Sequence, residues 1–108
     1  MEYPINQDNK SIQAKKLMSQ LTKAVFWGMD ISKLDYIRNK HTIIERIIEA
    51  GLENDEIIMW KLYPYEDIKN VALDMENLDE EKITYMAFVL EVEEKEFKCY
   101  GKKPWYKK

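Results

Sequence analysis

One cysteine, one histidine, three glycines and three prolines in 108 residues leave this chain little site chemistry and few sharp turns. With Cys99 alone no intrachain disulfide forms, and a reducing cytoplasmic setting is the simplest reading. With His41 alone a zinc site is poorly served, because zinc needs three or four ligands converging at about 2 Å. No apolar run approaches the roughly 20 residues that cross a bilayer, so no membrane span is expected. The first residues, MEYPINQDNK, lack the basic and apolar regions of a signal peptide. A glycine-rich phosphate loop is also missing.

What is present is hydrophobic content of 45% and charged content of 34%, normal for a folded domain and too apolar for global disorder. The net charge of −3 is unevenly spread. Residues 1–40 carry seven Lys/Arg against four Asp/Glu, a net of +3; residues 41–97 carry five against sixteen, a net of −11; residues 98–108 carry five lysines and no acid. An acidic body with basic ends repels nucleic acid through most of its surface and favours basic protein partners, while the tail can still touch phosphate.

Apolar residues recur at helical spacing, without sustained strand-like alternation, which predicts an all-α domain of about five helices. The expected organisation is a flexible N-terminal segment over 1–10, a helical domain over 11–98 and a basic aromatic tail over 99–108. A first helix is expected from Ile12 to Val25, with Leu17, Met18, Leu21, Ala24 and Val25 on one side. FWGMDISKLD (residues 26–35) reads as an ordered turn, with Gly28 free to take unusual backbone angles and Asp30 or Ser32 capping a short helical turn. Trp27 beside Phe26 is expected to be buried and to anchor this turn. A second helix is expected over Tyr36 to Ala50, burying Ile37, Ile43, Ile44, Ile47 and Ile48 and ending at Gly51 in the left-handed conformation. Asn54 reads as the cap of a third helix that turns Ile57, Ile58 and Leu62 inward. Pro64 starts a fourth, with Ile68, Val71, Ala72 and Met75 on one face. Asp79 caps a fifth, with Leu78 stapled on Ile83.

His41, Glu45 and Glu49 follow one side of the second helix at i, i+4, i+8. A straight helix brings two such groups together, rarely three, so these residues read as part of a structural helix. Cys99 in FKCYG would need a base such as His41 and an oxyanion site, and no local signature supports a cysteine hydrolase. No enzymatic activity, metal or cofactor is expected. Segments 65–75 and 79–90, broken at Glu76, Asn77 and Leu78, have the lengths of a helix-turn-helix within a tri-helical C-terminal half. The helix that would enter DNA begins Asp79, Glu80, Glu81, three carboxylates facing a polyanion. That same helix is apolar nearly all round: Ile83, Met86, Ala87, Val89 and Leu90 cover one side, and Tyr85 and Phe88 project elsewhere. Either it is buried on all sides, or Tyr85 and Phe88 belong to a binding or self-association patch. In the tail, Lys102, Lys103, Lys107 and Lys108 alternate with Tyr100, Trp105 and Tyr106, a pattern able to contact single-stranded nucleic acid.

The ordered series FWGMDISKLD, IIERIIEAG, YPYEDIKNVA, LDEEKITYMAFVLEV and EEKEFKCYGKKPW, covering residues 25–105, resembles a family of small, uncharacterised prokaryotic proteins. Its usual pattern is Phe-Trp-Asp, then Leu-Asp, an Ile-Ile-Glu-Arg-Val helix ending in Gly, and a Phe-Arg-Cys-Tyr segment. The matching positions are Phe26, Trp27, Leu34, Asp35, Ile43, Ile44, Glu45, Arg46, Gly51, Phe97, Cys99 and Tyr100. Gly28 stands where the family has Asp, and Asp79-Glu80-Glu81 replaces a more basic, serine-containing segment. Members are often encoded beside nucleotidyltransferase-like toxins of the abortive-infection type. The resemblance therefore implies an antitoxin-like accessory to such a toxin.

Together these readings predict a non-enzymatic protein that binds a basic partner through Glu53, Asp55, Glu56, Glu66, Asp67, Glu80 and Glu81, with Tyr85 and Phe88 as anchors. A homodimer remains open. The alternative is a helix-turn-helix-like DNA- or RNA-binding regulator that uses the basic ends, with weak nucleic-acid contact at Lys102, Lys103, Trp105, Lys107 and Lys108.

Overall fold

A buried carboxylate redirects the chain early in the structure. The computed structural model describes residues 7–101, with side chains from residue 12 onward. The chain divides into two units, Met1–Tyr63 and Pro64–Lys108. Across the described residues the fold is all-α, as the spacing predicts, with five α-helices, three short 3-10 turns and no strand.

In the first unit, α1 spans Gln7–Met18, α2 Lys40–Ala50 and α3 Glu53–Leu62, with 3-10 turns at Lys23–Phe26 and Ile31–Lys33. Ala14, Met18 and Leu21 bury one stripe at i, i+4 and i+7. The core continues through Val25, Phe26, Ile43, Ile44, Ile47, Ile48, Ile58, Met59 and Tyr63.

The first helix stops at Met18, well short of the expected Val25. The chain tightens there through Gln20 N–H to Leu17 O and Leu21 N–H to Met18 O, while the Ser19 hydroxyl donates to Lys16 O. Thr22 N–H then donates to the Asp55 carboxylate at 2.8 Å, a bond to a residue 33 positions away. Local propensity favours continuing the helix, but this tertiary bond turns the backbone out of it.

The second helix also starts later than expected, at Lys40 instead of Tyr36. Asp35 Oδ1 accepts from the N–H groups of Ile37 and Arg38, and Asn39 Oδ1 accepts from Asp35 N–H. Such side-chain bonds compete with helix for the local backbone. Residues 35–39 therefore form a turn, and Ile37, expected in the core, is 63% exposed. Tyr63 fastens this turn, its hydroxyl donating to Tyr36 O at 2.7 Å.

Gly51 ends α2 with φ of −69°, not in the left-handed region. Its requirement for glycine is spatial: a Cβ there would lie 2.6 Å from Ile47 O and 2.9 Å from Ile47 Cγ2. The positive φ of +83° falls on Gly28, as the turn reading requires, and Asp30 caps the following turn by accepting from Ser32 N–H. In α3 the N-cap is Leu52 and not Asn54, and Asp55 reaches back to Leu52 N–H at 2.9 Å. Ile57 is exposed, while Ile58 and Met59 face inward.

In the second unit, α4 spans Tyr65–Asp74 and α5 Glu80–Leu90, followed by a 3-10 turn at Glu94–Glu96. Pro64 occupies the N-cap of α4, and Asp79 caps α5 by accepting from Lys82 N–H. Ile68, Val71, Ala72 and Met75 meet a core of Leu78, Ile83, Met86, Ala87, Leu90, Phe97 and Cys99. The Tyr65 hydroxyl donates to Leu90 O at 2.6 Å, and Lys98 N–H donates to Leu73 O. At the end of α5, Glu91 takes φ of 59° and Val92 N–H bonds back to Ala87 O, closing the helix in the manner usually given to glycine.

Candidate protein-binding surface

The helical step decides how α5 divides its apolar residues. At about 100° per residue, Ile83, Met86, Ala87 and Leu90 share one arc, and Glu81, Thr84, Tyr85 and Phe88 share the opposite one. The first group is buried. The second is exposed, with Phe88 at 81% and Tyr85 at 51%. Of the two readings of this helix, burial on all sides is therefore excluded. An exposed phenylalanine loses the free energy that burial of its ring would bring, about 1.5–3 kcal/mol.

The acidic candidates fall in both units. In the second, Glu66 and Asp67 lie in the first turn of α4, and Glu80 and Glu81 in the first turn of α5. Glu66, Glu80 and Glu81 are exposed, and Asp67 is half-buried. In the first, Glu53 is exposed and Glu56 half-buried at the start of α3. Asp55 does not belong to this surface: its side chain has no exposed area, and its carboxylate is spent on Thr22 and Leu52 N–H groups. The run of acids in LENDEII hides this exception, because only the tertiary partner at Thr22 separates Asp55 from its neighbours. Lys102, Lys103, Trp105, Lys107 and Lys108 lie outside the described residues.

His41 is exposed, with Nδ1 3.7 Å from the Glu45 carboxylate one turn on. Among the described residues no group of three or more His, Cys, Asp or Glu is placed to hold a metal. Cys99 is buried, its thiol 3.7 Å from Leu78 O.

Trp27 corrects the sequence reading most sharply. It is 76% exposed. The Arg46 guanidinium sits over its ring at 5.6 Å from the centroid and donates to Val25 O at 3.2 Å and Trp27 O at 3.3 Å. Phe26, fully buried next to it, does the anchoring that Trp27 was expected to do. Arg46 clamps the turn from outside, and the indole is held in a fixed pose by a cation–π contact. The same loop forms one wall of a groove of about 690 Å³, lined by Lys15, Met18, Ser19, Lys23, Met29, Asp30, Ile31, Ser32 and Leu34. Spacing alone gives no sign of that groove, because its walls come from α1 and from a loop more than ten residues on.

No helix among the described residues is long and apolar enough to cross a membrane. Residues 21–72 match the model of a family of unknown function, DUF6922. The matched span covers the Phe26–Trp27 turn, α2, α3 and most of α4, and stops before α5, Phe97 and Cys99. No curated protein and no solved structure matches the chain.

Proposed function

We propose that this chain is a non-enzymatic protein-binding accessory, antitoxin-like, that works in the prokaryotic cytoplasm by occluding a basic surface of a nucleotidyltransferase-type toxin. The observation that carries the reading is the second unit's combination of exposed acids at the starts of α4 and α5 with the exposed Tyr85 and Phe88 on α5. Aromatic anchors within a charged rim are what stable protein interfaces use, and a carboxylate rim selects for basic partners and speeds their approach. The acidic start of α5 argues against the alternative, a helix-turn-helix regulator, because that end of the helix would lie against phosphates.

The test is binding of the purified chain to the product of the adjacent gene, with the double substitution Glu80→Lys, Glu81→Lys alongside. The accessory reading expects the charge reversal to weaken that complex at least tenfold and to flatten its salt dependence. Nanomolar binding of the native chain to a defined DNA duplex, unaffected by the reversal, would replace it with the regulator reading.

A further inference from the structure

The α5 strip has a definite order. Glu81, Tyr85 and Phe88 lie at i, i+4 and i+7, so they align along one exposed line about 10 Å long. Thr84 lies beside them, and its hydroxyl donates to the Glu94 carboxylate at 3.2 Å, bringing a second acid to the flank of the two rings. The helix start adds Glu80, and the left-handed closing residue adds Glu91 at the far end. The strip is thus an aromatic pair with carboxylates at its start, on its flank and at its end.

Building on the accessory reading, we propose that this strip docks one helix of a protein partner whose apolar side chains are bracketed by arginine or lysine. The rings would take the apolar side chains, and Glu81 and Glu94 would take the cations. Charge complementarity selects this occupant over others. A second copy of the chain would bring these carboxylates against carboxylates of the same kind. A nucleic acid or an anionic lipid surface would set phosphates against them. A purely apolar helix would bury the acids without a counter-charge, which is costly. A helix carrying leucine or phenylalanine at i and i+3 or i+4, with arginine about one turn before and one turn after, satisfies both the rings and the acids.

The experiment uses the full chain, isotope-labelled, titrated with a synthetic helical peptide bearing two leucines bracketed by arginines. Three control peptides accompany it, one with the leucines replaced by glutamine, one with the arginines replaced by glutamate, and one scrambled. The expected result is amide shift changes centred on Thr84, Tyr85, Phe88 and Glu94, with affinity falling at least tenfold for each control and for Phe88→Ala. Phe88 is exposed, so the variant should keep the wild-type urea midpoint, and Glu81→Gln, which cannot disturb the core, should weaken binding severalfold as a second check.

Equal binding of all four peptides, or shift changes away from α5, would overturn the strip. So would a concentration-dependent dimer, or binding of a single-stranded oligonucleotide, that Phe88→Ala abolishes. Failure here is separable from failure of the accessory reading. A toxin partner that binds Phe88→Ala as tightly as wild type yet loses affinity on Glu80→Lys, Glu81→Lys sinks the strip alone. A partner indifferent to both sinks the two together.

Discussion

Replacing Asp55 with asparagine is a one-atom test of how the first unit is held. The carboxylate is fully buried and accepts two backbone bonds, from Thr22 N–H at 2.8 Å and from Leu52 N–H at 2.9 Å. Asparagine keeps the shape and one acceptor oxygen, but its NH2 must face the second N–H. One backbone donor is then left buried without an acceptor, at a cost of about 1–3 kcal/mol. Asp55→Ala orphans both donors, so roughly twice that loss, about 2–6 kcal/mol, is expected. With a urea m value of about 1–3 kcal/mol per M, even the asparagine variant should lower the midpoint by about 1 M. Amide exchange supplies the local readout: the N–H groups of Thr22 and Leu52 should lose protection before those in the middle of α2. An Asp55→Asn protein with a wild-type midpoint and both amides still protected would refute the claim that this carboxylate turns the chain after α1.

Trp27→Ala should lower stability by no more than about 1 kcal/mol, the worth of an exposed cation–π contact, since the ring is 76% exposed; a loss of 3 kcal/mol or more on urea unfolding would mean that the indole is buried. Gly51→Ala should cost about 1–3 kcal/mol by overpacking, because its methyl would meet Ile47 O at 2.6 Å, and an unchanged midpoint would contradict that close approach. Asp35 should titrate below the ordinary aspartate value, because the backbone N–H groups of Arg38 and Ile37 bond its charged form. Whatever stability it lends is present above that ordinary value and is lost as pH falls through the lowered one, so a carboxyl-carbon titration at or above 3.8 would show that the 35–39 turn does not hold.

The helix count, the all-α class and the two C-terminal helices were legible because their signals are local. Apolar residues at 3.6-residue spacing, an aspartate at position 79 and a proline at 64 act on their own neighbours. The N-terminal errors share a cause of the opposite kind. Residues 19–25 look helical until Asp55 reaches across from another helix, and residues 36–39 look helical until the Asp35 carboxylate accepts from the Ile37 and Arg38 N–H groups and Asn39 Oδ1 accepts from Asp35 N–H. Trp27 departs from the expectation of burial because size and hydrophobicity predict burial only on average, while a neighbouring arginine can hold the ring from the solvent side. The acidic surface was legible as composition but not residue by residue, since a buried carboxylate looks the same in sequence as the exposed ones around it.

The residues that carry the family resemblance divide in the same way, and the division says where to look for function. Within the matched span 21–72, Phe26, Ile43 and Ile44 are buried, Asp35 closes a turn, Arg46 clamps the Val25–Trp27 backbone, and Gly51 permits a close approach. Each is accounted for by folding, and a change at any of them would act on partners mainly by disturbing the scaffold. Trp27 is the largely exposed exception, with the Arg46 guanidinium over its ring, and Leu34 and Glu45 are half-buried. Phe88 is more exposed still, and it lies beyond the span that matches the family model. On the proposed reading, a scaffold can be shared over 21–72 while the partner-binding surface lies outside that span, in the acids and rings of α5. Substitutions that test the proposed function therefore belong at Glu81 and Phe88, exposed positions on α5 where a binding defect is separable from a folding one.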